Sequence, residues 1–135
     1  MSKGGFSADL AAFAAKSTMG LAEARRAVAM TLFRGVIEAT PVLTGRAKGN
    51  WQTSVSSPLL GVLPIRPAEA AIAEAEAATK KVEGDDPIIM RNNLPYIYRI
   101  EYEGWSHEKR PEGMVRVTVA QVTANIRSII RKGAL

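Results

Sequence analysis

No cysteine occurs in the 135 residues, which excludes disulfide staples, thiolate zinc sites, iron–sulfur clusters and cysteine nucleophiles together. Histidine occurs once, as His107, so a histidine-dependent metal site or triad would have to use it. Aromatic residues make up only 6%, and any base-stacking platform would be small. No apolar run approaches the roughly 20 residues that cross a bilayer. The first five residues lack the basic segment and continuous apolar core of a secretory signal. The expected place of work is the cytosol, or an assembly built there, with no membrane partner.

What is present is ordinary globular composition, 47% apolar and 23% charged. A chain of this length reads as a single domain, 1–135, able to bury its own core. The net charge is +5, from 18 basic and 13 acidic residues. The middle of the chain, residues 51–90, is acidic, whereas the segments on either side are basic. Such poles suit head-to-tail association of copies at least as well as a nucleic-acid stripe.

Residues at steps of three and four (Leu10, Phe13, Ser17, Leu21, Ala24, Val28, Leu32, Val36), all but Ser17 apolar, predict helix over 7–39, with Ser7 as N-cap. Gly20 costs about 1 kcal/mol inside such a pattern, so 17–20 is a place for a break. Thr40-Pro41 ends the helix, because a residue before proline is pushed out of the α region. Alternation predicts strands at 50–57, 87–91 and 96–102. The Ala/Glu-rich stretch 68–81 predicts an exposed helix with Ile72 as its main anchor. Val115, Val119, Val122, Ile126 and Ile129 predict a closing helix over 114–131. The expected fold is α+β: a long N-terminal helix and a C-terminal helix packed on a small antiparallel sheet, with the Ala/Glu helix as an insertion.

The chain offers little that could do chemistry. Gly45-Arg46-Ala47-Lys48-Gly49 lacks the spacing of a phosphate-binding loop. His107 reads as a solvated loop residue, and Asp85-Asp86 as turn chemistry. No catalytic, metal or cofactor site is expected. Arg46 and Lys48 beside Trp51 fit contact with phosphates or an acidic protein edge; they fit equally a turn with two solvated cations and a core tryptophan. Tyr98, Glu101, Tyr102 and Trp105 gather on an expected strand edge and loop, where aromatics anchor protein interfaces or fill a core. On a strand Glu101 and Glu103 would share a face, as solvated or interface residues.

Two segments carry a resemblance. Residues 40–51, TPVLTGRAKGNW, are similar to the pattern TPVDTGRARGNW. Residues 92–102, NNLPYIYRIEY, followed by Gly104-Trp105-Ser106 and Gly113-Met114-Val115, are similar to NNLPYIQRLEYG…WS…GMV. Together and in this order they resemble the tailed-phage neck or tail-completion proteins, the group of the minor tail protein Z. Leu43 stands where that pattern has Asp, and the loop 103–113 is about one residue longer, with Lys109-Arg110.

The resemblance implies a non-enzymatic virion protein at the head–tail junction of a long-tailed phage, assembled in the host cytoplasm. It implies a ring, six-fold, joining the head connector or head-completion protein to the tail terminator or tail tube. Genomic DNA would pass through it without specific binding. Arg46, Lys48, Tyr98, Glu101, Tyr102 and Trp105 are then the expected interface residues. Two alternatives stand beside this one: a tail terminator capping the tube, and a small basic nucleic-acid-binding protein.

Overall fold

A computed structural model describes residues 20–42, 45–102 and 113–133. Its elements run α1 (Leu21–Ala39), α2 (Arg46–Gly49), β1 (Trp51–Val55), α3 (Ala68–Lys81), β2 (Ile88–Asn92), α4 (Ile97–Tyr102), α5 (Val115–Ala124) and α6 (Ile126–Gly133). The architecture is α+β: helices packed on a two-stranded antiparallel sheet.

Gly20 has extended backbone and caps α1; the rest of the break expected at 17–20, and of the helix predicted from residue 7, lies outside the described residues. Ala24, Val28, Phe33, Val36 and Ile37 form the buried stripe of α1, while Leu21 is exposed. Thr40 leaves the helix in extended conformation, as Pro41 demands. Its hydroxyl donates to Val36 O (2.7 Å) and accepts the Trp51 indole N–H (2.8 Å), which ties the end of α1 to the first residue of β1. Gly45, at φ 82°, makes the left-handed turn into α2.

The Ala/Glu helix is not the exposed element the sequence predicts. Ala71, Ala75 and Ala78 form a buried stripe, and α3 lies against α1 and β1. Small side chains supply little apolar area each, but they let two backbones approach closely. Arg26 of α1 donates to Val82 O (2.9 Å), and Arg25 to Gly84 O (3.0 Å) and Asp86 O, so α1 also holds the turn after α3.

The strands are Trp51–Val55 and Ile88–Asn92, within a residue or two of the expected 50–57 and 87–91. The third expected strand, 96–102, is helix over Ile97–Tyr102. Pro95 starts that turn; Leu94 O accepts Ile97 N–H, and Tyr96 O accepts Arg99 and Ile100 N–H. The alternating tyrosines hid a second spacing: Leu94, Ile97, Ile100 and Glu101 step by three, three and one on the inner side of a helix, whereas Tyr98 and Tyr102 share its outer side.

The single C-terminal helix expected over 114–131 is two. Asn125 (φ −113°, ψ 17°) interrupts it, and its side chain competes for Gln121 O at 2.8 Å. Thr118 and Val122 are buried, while Val119 is exposed rather than part of the apolar stripe. Thr118 passes Gly35 of α1 so closely that a Cβ there would lie 2.7 Å from its methyl group. Val36, Ile37, Ala47, Trp51, Ala71, Leu94, Ile100 and Met114 make the main core; Ala24, Val28 and Val122 make a second, and Leu32 touches both.

Candidate functional site

The sheet has two different faces. The Trp51 indole, the Met90 side chain and Asn92 (donating to Ala47 O at 2.9 Å) turn toward the helices. On the other face Gln52 and Asn93 both reach the loop 57–66, donating to Gly61 O at 3.0 and 2.9 Å; Asn93 also donates to Leu59 O at 3.0 Å. Asn50 completes the bracket: its amide N–H donates to Leu63 O (3.2 Å) and its carbonyl accepts Leu63 N–H (2.8 Å). Arg66 closes the loop by donating to Gly49 O (2.6 Å) and Trp51 O (3.0 Å), and it pairs with Glu74 at 3.2 Å. Amide groups inside satisfy the loop's backbone, so its apolar side chains need not turn inward.

They turn outward. Leu60 is 78% exposed and Ile65 65%, with Leu59 and Val62 exposed beside them. The nine residues from Ser57 to Ile65 carry no charge. A rigidly bracketed, uncharged, apolar loop is the strongest interaction surface among the described residues. In the sequence, Pro58, Gly61, Pro64 and Pro67 mark the segment as no more than a connection. The signal was available: an aperiodic apolar run between prolines, which no helix or strand face would bury.

Of the predicted interface residues, Tyr98 and Tyr102 are exposed and adjacent. Their ring centroids lie 4.8 Å apart, and the Arg116 guanidinium sits 4.9 Å from the Tyr102 ring centre. Arg46 is exposed and Lys48 half-buried, both on α2, a different element from the tyrosine pair. Trp105 lies outside the described residues, as do Glu103 and His107.

Glu101 is corrected most. It is buried, not a solvated or interface group. Its carboxylate accepts the backbone N–H of Met114 and Val115 (both 2.8 Å) and of Arg116 (3.1 Å), plus Arg116 Nε (2.9 Å). Arg116 also donates to the Glu101 carbonyl. A carboxylate from α4 thus does for α5 what an N-cap does, from 14 residues away in sequence. Burial, the largest single influence, pushes its pKa up. The N–H groups of Val115, Met114 and Arg116 with the guanidinium outweigh it and leave the carboxyl below its ordinary value.

Among the described residues no cluster of three acidic or histidine side chains is placed to hold a metal, and no helix is long and apolar enough to cross a membrane. A groove of about 500 Å³ between α1 and α3 is lined by Glu23, Arg26, Arg34, Glu76 and Lys80, the charges of two solvated helix faces. No family model, curated protein or solved structure matches the chain.

Proposed function

We propose that this chain is a structural, non-enzymatic virion protein of the head–tail junction of a long-tailed phage, a neck or tail-completion protein acting as a six-fold ring. The observation that carries the reading is where the residues of the two motifs sit. Thr40 bonds Trp51, Asn50 bonds Leu63, Asn92 bonds Ala47, and Glu101 bonds Met114 and Val115. The motif residues form one connected internal frame, which is what two chains of one fold would have in common. The function then rests on what that frame displays: the loop 57–66, the Tyr98–Tyr102 pair and the Arg46/Lys48 turn. In a ring these meet different surfaces of neighbouring copies and of the connector and tail proteins, since ring contacts are heterologous. DNA crosses the ring without specific binding.

The test is deletion of the gene from its phage, followed by negative-stain electron microscopy of the lysate. Filled heads beside separate, finished tails are expected. Abnormally long tails would make the chain a tail terminator. Normal infectious particles would overturn the virion reading, and salt-dependent binding to DNA would then favour the nucleic-acid reading.

A further inference from the structure

The two edges of the sheet are treated differently. Ser56 N–H donates to Pro87 O in continuation of the ladder, which fixes the alternation: Gln52 and Ser54 exchange bonds with Arg91 and Ile89. The backbone groups of Trp51, Thr53 and Val55 therefore point away from β2, and those of Ile88, Met90 and Asn92 point away from β1. On the β1 side the outward groups are sealed. Trp51 O accepts from Arg66, Thr53 N–H donates to Glu74 (2.9 Å), and Val55 O accepts Ser57 N–H (2.9 Å). On the β2 side, no hydrogen bond among the described residues reaches the outward backbone groups of Ile88, Met90 or Asn92. A five-residue strand with one sealed neighbour and one edge unpaired among the described residues is a template for another strand.

We propose that β2 pairs with β2 of a second copy of this chain, antiparallel about a two-fold axis at Met90, joining two sheets into one. Three features select this occupant. The outward groups are symmetric about Met90, so one register engages them all: Met90 with Met90 of the second copy, and Ile88 with its Asn92. That register sets Arg91, the only charge of the strand, opposite Ile89 of the second copy, where its aliphatic stem packs and no like charge faces it. Finally, a stable dimer needs about 800 Å² from each partner, more than five strand residues supply. The exposed loop can supply the remainder: Asn93, the residue after β2, donates to the carbonyls on both sides of Leu60, which ties the loop to that end of the strand. The inference concerns the free chain and stands independently of the neck reading.

The test uses the whole chain. Light scattering after size exclusion should give twice the chain mass for the natural protein. Met90→Pro and Ile88→Pro each remove one outward N–H and leave the β1 ladder untouched, so both should give the single mass with an unchanged circular-dichroism spectrum. Because the chain has no cysteine, a variant carrying Ile89→Cys and Arg91→Cys reports the register directly. Those positions face each other across the proposed interface about 4.5 Å apart at Cα, within disulfide reach, and oxidation should yield covalent dimer. A monomeric natural protein overturns the proposal, as does an oligomer of any size that survives both proline substitutions. If a proline variant fails to fold, the cysteine variant decides alone: no covalent dimer overturns it.

Discussion

The Glu101 carboxylate lies 2.8 Å from the backbone nitrogen of Met114 and closes the loop between α4 and α5 from both ends. Its pKa is lowered in the folded chain, so the unfolded chain binds the proton more readily. The stability it contributes is present above the ordinary glutamate value near 4.5 and is lost as pH falls through the lower, folded one. Thermal unfolding followed from pH 7 to pH 3 should show a fall beginning near pH 4.5, with part of that slope absent in Glu101→Gln. At pH 7, Glu101→Ala should cost about 3 kcal/mol, because one buried and two part-buried N–H groups and the Arg116 guanidinium lose their acceptor. An unchanged acid slope in Glu101→Gln would refute this account.

Two threonines predict opposite outcomes for the same substitution. Thr40 Oγ1 accepts the buried Trp51 indole N–H, so Thr40→Val should cost about 1–2 kcal/mol, and Thr40→Ser should recover most of it. Thr53 Oγ1 is buried without a partner among the described residues. Thr53→Val should be neutral or stabilising by up to about 1 kcal/mol. Urea denaturation of the three variants checks both.

Gly113 and Gly45 both have positive φ, 86° and 82°. A Cβ at Gly45 meets nothing within 4 Å, whereas at Gly113 it would lie 2.6 Å from Glu101 O. Gly45→Ala should therefore cost only the backbone term, about 1 kcal/mol. Gly113→Ala should cost at least twice as much and also flatten the acid slope, since it displaces the Glu101 carboxylate from the N–H groups that lower its pKa.

Leu60→Ser with Ile65→Ser, made in the Met90→Pro background, should leave the unfolding free energy within about 0.5 kcal/mol, because both side chains are in water in the single chain. Under the proposed function the same pair should lower the yield of infectious particles. Charge reversal at Arg46 and Lys48 should lower it as well. Unchanged yield in both would remove these surfaces from the assembly.

Where local signals and packing agreed, the sequence was readable. Thr40-Pro41 ended α1, and the alternation over 51–55 made a strand, because each rests on chain geometry that packing does not override. It misled where one pattern served two periods. Tyr96, Tyr98 and Tyr102 alternate like a strand, yet Pro95 starts a helical turn and Ile100 needs the core. Alanine hid the burial of α3, because small residues state no preference for inside or outside. The Glu101 link could not be read at all: a carboxylate reaching a helix start more than a dozen residues away leaves no local spacing. Of the candidate site, the exposed tyrosines were legible and the displayed loop was not, since an apolar run normally announces a core.

That loop is fixed before it meets anything. Asn50, Gln52, Asn93 and Arg66 hold its backbone at both ends and in the middle. Little conformational entropy is then left to lose on contact, so association through Leu60 and Ile65 should be rapid and carry a negative heat-capacity change, from apolar burial with little added ordering. The protein would bind through this face more firmly in the warmth of a growing cell than in the cold.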